Sequence, residues 1–213
     1  MFVWACGFEL AIGIVGLTLG WILGVDARAY IGQVKDLTWQ SVGIDLGIGV
    51  VASIPMTIAI ALLMRVPHES ITAIKRLSDA PTMKALLSLT RIELLTLSVC
   101  AGIGEELAFR GFLLPWITAI GGSSITSANP FAVGDSFRTA APAMLAAAVA
   151  FSSIAFGLLH PITKLYVLVA ALMGVYFAAL LILTDSLVVP IIAHAVYDAT
   201  QFLIAKREIP EEG

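Results

Sequence analysis

The chain has 213 residues, of which 59% are hydrophobic and only 13% are charged. A soluble globular protein has about 45–50% apolar and about 25% charged residues, because its surface needs polar side chains. The composition therefore excludes a soluble enzyme and a disordered chain. With 12 basic against 15 acidic residues it also excludes a nucleic-acid-binding protein. We expect an integral membrane protein that has the lipid bilayer, and no nucleic acid, as a partner.

Six apolar segments are long enough to cross a bilayer, which takes about 20 residues. We therefore predict an all-α fold, a polytopic transmembrane helical bundle with about six spanning helices. The segments lie near residues 2–24, 42–64, 86–104 (or slightly later), 142–160, 165–183 and 187–205. Glycines at four-residue spacing predict close helix packing in the first two segments: Gly16, Gly20 and Gly24, then Gly43 and Gly47.

Six spans put both termini on the same side as the loops at 65–85 and 161–164. These loops and the C-terminal end hold most of the basic residues outside the apolar segments, so we predict cytoplasmic termini. The stretch 67–85 is typical of an interfacial amphipathic helix. The Gly- and Ser-rich stretch 121–141 predicts an exposed loop.

The main functional signal is a set of ionisable residues in an apolar segment, where a charge is costly. Glu106 and Arg110 are four residues apart, so they can pair on one face of a helix. Glu105 points about 100° away from Glu106 in a helix with about 3.6 residues per turn. One carboxylate can therefore be neutralised by the arginine while its neighbour faces a different partner. A helix that serves only packing has no use for this arrangement.

Two histidines also lie in apolar surroundings. His160 follows Phe156 by one turn, so that the phenyl ring can shield the imidazole, and Pro161 stops the helix. His194 lies one turn before Asp198 on the same helix face. The aspartate can therefore hold the tautomer and the orientation of that imidazole.

These residue types can hydrolyse a substrate in two ways. Glu105, His160 and His194 can form a three-ligand site for Zn²⁺ or another divalent metal, with an open position for water. Alternatively, a buried glutamate helped by a histidine acts as general base on a water without any metal. In that scheme His194 and Asp198 stabilise the oxyanion. The residues fit both schemes, so the expected cofactor is a divalent metal or none.

At these residues the chain resembles the CAAX-protease and bacteriocin-processing (CPBP) family of intramembrane proteases, also called Abi or Rce1-like. The family is marked by Glu-Glu-x-x-x-Arg, then Phe-x-x-x-His, then His-x-x-x-Asn or Asp. Here these motifs read, in order, Glu105-Glu106…Arg110, Phe156…His160 and His194…Asp198. Each motif alone is weak, but three in order on separate apolar segments are fairly specific.

The resemblance implies an intramembrane endopeptidase, glutamate-dependent or metal-dependent. The catalytic residues that it implies are Glu105, Glu106, Arg110, His160, His194 and Asp198. In this assignment the first glutamate and the first histidine activate the water, and the second histidine and the aspartate assist or complete a metal site. The second glutamate and the arginine shape the pocket or hold the substrate. The last position is Asn in many members, and Asp198 adds a charge there.

The resemblance also divides the chain. Residues 1–94 hold N-terminal membrane helices and a cytoplasmic or interfacial segment, 95–205 a catalytic helical core, and 206–213 a C-terminal tail. The implied substrate is a peptide or protein, which is prenylated in the CAAX-type clients of the family. The oligomeric state is not indicated.

Two other functions fit the same residues. Intramembrane Glu, His and Asp also mark ion paths, so a transporter or proton relay is an alternative. It predicts inverted repeats with broken helices, which are not visible in the sequence. A non-catalytic membrane scaffold or immunity protein is the other alternative. Glu9, Asp45, Arg91 and Glu93 match no motif, and for them we predict structural or interfacial positions.

Overall fold

A computed structural model of the chain describes residues 1–31, 38–76, 80–121, 137 and 140–208. In these residues the regular structure is helical, without a strand, which confirms the predicted all-α bundle. The helices are, in chain order, α1 (Phe2–Leu23), α2 (Trp39–Leu63), α3 (Glu69–Lys75), α4 (Pro81–Leu87), α5 (Arg91–Glu106), a π-helical segment (Leu107–Leu113), α6 (Leu114–Gly121), α7 (Pro142–Leu158), α8 (Lys164–Thr184) and α9 (Val188–Glu208). The predicted loop at 121–141 and the end of the predicted tail lie largely outside the described residues.

The prediction of six spans is wrong. In the described part of the chain four helices are long and apolar enough to cross a membrane, namely α1, α2, α8 and α9. A fifth span results if α4 and the helix Arg91–Ile120, which are bent by 111° relative to each other, count as one broken span. α7 has only 17 residues. Apolar composition alone does not show where a helix ends, so it does not separate a short apolar helix from one that crosses the bilayer.

The C-terminal end of the short helix α7 lies beside the C-terminal end of α5. His160 follows α7 and lies with Nε2 3.8 Å from Oε1 of Glu105. By contrast, Lys206 near the end of α9 donates to the carbonyl oxygens of Leu87 and Leu89, just before α5 begins. The end of α7 therefore lies beside the end of α5, and the end of α9 lies beside its start. At about 1.5 Å per residue, the two helix ends are separated by about 20 Å along α5. This offset brings His160, at a helix end, to the depth of His194, which lies within α9.

Small residues bring α1 into backbone contact with α5. A Cβ atom at Gly13 would lie 3.0 Å from Cα of Gly104, and one at Gly16 would lie 2.6 Å from Cα of Ala108. A Cβ atom at Gly104 would overlap the carbonyl oxygen of Glu9. The predicted close packing of the first segment is therefore confirmed at Gly16. It places α1 directly beside the end of α5.

The glycines predicted to pack α2 do not do so. Gly43 and Gly47 face open space in the described structure, so this prediction is wrong. Gly49 makes the contact instead, because a Cβ atom there would lie 2.7 Å from Cβ of Ile192 in α9. Gly24 has another role as well, since it ends α1 in the left-handed conformation with φ 75°.

The α1–α5 contact can be tested with a pair of glycine variants. Gly104→Ala inserts a methyl group into the backbone of α1, and we expect the free energy of unfolding to fall by about 1–3 kcal/mol. Gly43→Ala adds the same group in open space, and we expect no loss, because alanine favours a helix more than glycine does. Thermal unfolding of both variants in detergent measures the difference. Equal stability of the two would contradict the contact.

Candidate active site

The two glutamates lie at the junction where α5 becomes a π-helical segment. Such segments are rare in proteins and are frequently found at functional sites. Glu105 is 7% exposed, Glu106 is fully buried and Arg110 is 1% exposed. Both carboxylates are buried because α5 is covered by α1 on one side and by α9 on another, where Gly102 meets the backbone of Ile191.

Glu106 links the arginine to the second histidine. Nη1 of Arg110 donates to Oε1 of Glu106 at 3.0 Å, which is the pairing that the four-residue spacing predicts. The same oxygen lies 2.9 Å from Nδ1 of His194. A carboxylate only accepts hydrogen bonds, so His194 donates its Nδ1–H to Glu106. The sequence predicted that Asp198 would orient this imidazole. The structure places Oδ2 of Asp198 3.4 Å from Nε2, at the opposite edge of the ring.

His160 is oriented by the backbone of its own helix. Its Nδ1 lies 2.9 Å from the carbonyl oxygen of Phe156, which can only accept, so the proton is on Nδ1 and Nε2 has a free lone pair. That nitrogen faces Oε1 of Glu105 at 3.8 Å, while Nε2 of His194 lies 3.7 Å from Oε2 of Glu105. Each oxygen of Glu105 therefore faces one imidazole.

Aromatic rings enclose this group. The ring of Phe156 lies 4.4 Å from the guanidinium carbon of Arg110 and 4.9 Å from the ring of His160, as the predicted shielding requires. Phe177 of α8 stacks on His194 with ring centroids 4.8 Å apart and an interplanar angle of 15°. The rings exclude water from one side of the site and strengthen the charge interactions inside it.

The six predicted site residues therefore lie close together, and all three sequence motifs contribute to this one group. The predicted metal ligands were Glu105, His160 and His194. Among the described residues no group of three or more His, Cys, Asp or Glu side chains is placed so that it could hold a metal ion. The two histidines face different oxygens of Glu105. The described arrangement gives no support to a metal centre, and the three-ligand metal site stays a prediction.

The family model described as type II CAAX prenyl endopeptidase Rce1-like matches residues 87–200. The matched region is just over half of the chain and includes every predicted site residue. The chain belongs to this Rce1-like family. No curated protein and no solved structure matches it. Membership makes the chain an intramembrane peptidase with a peptide or protein substrate, and favours this function over a transporter.

Two residues of this Rce1-like site were missed by the sequence analysis. The carbonyl oxygen of Gly174 accepts a hydrogen bond from Nη2 of Arg110 at 3.1 Å. A Cβ atom at this glycine would lie 2.9 Å from Ser153, so α7 and α8 approach closely there. Phe177, which stacks on His194, is the other missed residue. Neither stands out in the sequence, because an apolar helix contains many glycines and phenylalanines that serve packing.

The contribution of the buried ion pair to the stability of the protein can be compared with that of an exposed ion pair. Arg110→Met leaves the buried carboxylate of Glu106 without its cation, and we expect the free energy of unfolding to fall by about 3–5 kcal/mol. Arg28→Met removes a cation whose side chain is 68% exposed and which pairs with Asp26 at 3.1 Å. For this control we expect a loss of about 0–1 kcal/mol. Unfolding in detergent compares the two, and similar losses would contradict the role of Arg110.

Proposed function

We propose that the chain hydrolyses a peptide bond with a water molecule activated by Glu105, without a metal ion in the reacting step. The observation that supports the proposal is the pair of distances from Glu105 to Nε2 of His160 and of His194, 3.8 and 3.7 Å. Polar atoms at such distances are suitably spaced for one water molecule to bridge them. The water would lie against a carboxylate in a largely apolar enclosure.

In this proposal Glu105 is the general base. Its carboxylate takes a proton from the water as the water oxygen forms a bond to the carbonyl carbon of the substrate. His160 positions the same water, because its Nε2 lone pair accepts a hydrogen bond from the other hydrogen. Phe156 keeps that lone pair available by holding the ring proton on Nδ1.

His194 stabilises the oxyanion that forms when the carbonyl π electrons move to oxygen. Its ring lies between two carboxylates, with Oε1 of Glu106 2.9 Å from Nδ1 and Oδ2 of Asp198 3.4 Å from Nε2. Acceptors at both nitrogens favour an imidazolium with an N–H at each. The Nε2–H then donates to the oxyanion, while Asp198 balances the charge of the ring.

Collapse of the tetrahedral intermediate completes the reaction. The oxygen electrons reform the carbonyl, the C–N bond breaks, and the leaving nitrogen takes the proton held by Glu105. The products are a carboxyl group and an amine, and Glu105 returns to its starting state. Glu106 and Arg110 take no part in these transfers, because both are enclosed by protein. They position His194.

For the substrate we propose a membrane-bound peptide that carries a prenylated CAAX sequence, since the description of the family names such a substrate. The prenyl chain would lie in the bilayer beside the apolar helices, so that the peptide is held at the membrane. Cleavage of one peptide with and without the prenyl group compares the two substrate classes by their kcat/KM.

The assignment of the general base is tested with Glu105→Gln. The amide has nearly the shape of the carboxylate but cannot take the proton, so we expect kcat to fall by about 10²- to 10⁴-fold. Asp45→Asn is the matched control, because Asp45 is another half-buried carboxylate in a spanning helix. It accepts from Ser186 at 2.7 Å, away from the site. We expect this control to keep its kcat. Full activity of Glu105→Gln would refute the mechanism, and an inactive wild-type chain would favour the scaffold alternative.

The proposal that no metal ion takes part in the reaction is tested separately. We expect the purified protein to keep its activity after dialysis against a strong chelator, because the proposed base, the water-positioning group and the oxyanion donor are all side chains of the chain. Metal content is measured on the same sample by mass spectrometry. Loss of activity on chelation, with recovery on addition of Zn²⁺, would instead support the three-ligand metal scheme.

A further inference from the structure

A further carboxylate approaches the site from α1. Glu9 lies outside the segment 87–200 that matches the family, and its sequence context predicts only a structural or interfacial position. In the structure its backbone lies against Gly104, where a Cβ atom would overlap the carbonyl oxygen of Glu9. Gly104 directly precedes Glu105. The close contact of the two helices therefore brings Glu9 beside the proposed general base.

The side chain of Glu9 is directed into the bundle. Its Oε2 is buried and has no hydrogen-bond partner in the described part of the chain. Its carboxylate interacts electrostatically with four site residues: Glu105, Asp198, His194 and His160. A glutamate that only extended towards the membrane surface would have neither property.

A carboxylate in this position needs a hydrogen-bond donor, because a carboxylate only accepts and an unpartnered charge in apolar surroundings is costly. Arg110 does not supply one, since its Nη1 donates to Glu106, its Nη2 donates to the carbonyl of Gly174, and its Nε has no partner among the described residues. Both histidines use their Nδ1–H groups elsewhere, and Nε2 of His194 faces Asp198 at 3.4 Å.

The peptide substrate needs a hydrogen-bond acceptor for its backbone N–H groups. A peptide that enters a site between apolar helices loses the water bound to its backbone N–H groups, and each unpaired N–H group costs free energy. One hydrogen bond from a substrate N–H group to Glu9 satisfies both partners. A hydrogen bond to a charged acceptor is also stronger than one between neutral groups.

We propose that Glu9 is a substrate-binding residue whose Oε2 accepts a hydrogen bond from a backbone N–H group of the peptide next to the scissile bond. This bond holds the scissile carbonyl beside Glu105 and the Nε2 atom of His194. The inference rests on the proposed function, since it assumes that the peptide is cleaved at this site. It adds α1 to the helices that form the site.

Kinetic constants of Glu9 variants give the first test. In Glu9→Leu we expect KM for the peptide to rise roughly 10- to 100-fold, with a smaller change in kcat, because the lost bond has a charged acceptor. Glu9→Gln keeps one acceptor oxygen, so its KM should rise less. Asp45→Asn, which removes a carboxylate outside the site, should keep the wild-type KM. An unchanged KM in Glu9→Leu would overturn the proposal.

Thermal unfolding separates substrate binding from a structural role. Replacing an unpartnered carboxylate by leucine should not lower the unfolding temperature of the protein without substrate. A marked loss of stability in Glu9→Leu, together with an unchanged KM in Glu9→Gln, would show that Glu9 supports the fold instead and would overturn the proposal.

The decisive test replaces single amide N–H groups of the peptide near the scissile bond by ester oxygens. In the wild-type chain we expect the ester at the contacted position to raise KM. In Glu9→Leu the same ester should have no further effect, because the two changes remove one hydrogen bond. The absence of this coupling at every ester position would mean that Glu9 binds water rather than the peptide, and would overturn the proposal.

The proposed function and this inference can fail separately. In the Glu105→Gln background, binding of the peptide is measured directly without cleavage, and it should still weaken on Glu9→Leu. Normal cleavage by Glu105→Gln would refute the general base while the binding experiment still decides on Glu9. Loss of cleavage in Glu105→Gln, with peptide binding that is independent of Glu9, would refute only the inference.

Discussion

The buried guanidinium of Arg110 is the interaction on which the rest of the site depends. A cation in an apolar bundle is costly unless the fold supplies its partners. Here Nη1 donates to Glu106, Nη2 donates to the carbonyl of Gly174, and the ring of Phe156 lies 4.4 Å from the guanidinium carbon. These three partners come from α5, α8 and α7. Through Glu106 the same cation also orients His194 on α9, so one charge joins four parts of the chain.

The bilayer sets the second constraint. Lipid provides no hydrophobic force between helices, so the helices must pack through close contact and small residues. Gly104 and Gly13 let α1 approach the backbone of α5, and this contact brings a carboxylate from α1 next to Glu105. Irregular backbone among membrane helices must also satisfy its own hydrogen-bonding groups. In the turn after α7 part of this is done locally, because His160 and Ile162 donate their N–H groups to the carbonyl oxygens of Gly157 and His160.

The local parts of the site were predictable from the sequence, and the contacts between helices were not. The pairing of Glu106 with Arg110 follows from helical geometry and is confirmed. Asp198, one turn away, was expected to pair with His194 and does lie 3.4 Å from its Nε2, but the partner of Nδ1 is Glu106, 88 positions distant in sequence. The predicted number of spans was wrong for a related reason. Contacts with neighbouring helices decide where the chain bends between α4 and α5 and where α7 ends. Likewise, the spacing of Gly43 and Gly47 does not show which face of α2 meets another helix.

The sequence by itself determined the lipid surroundings, the helical class, the family and the set of candidate site residues. Composition and periodicity act within one segment, and the three motifs lie on separate segments whose order can be read directly. Only the tertiary structure decided that the two oxygens of Glu105 face two different histidines, and that Glu9 belongs beside them. The physical reason is that a buried charge is stabilised by whichever partners packing brings within a few ångströms, and packing joins residues that are far apart along the chain.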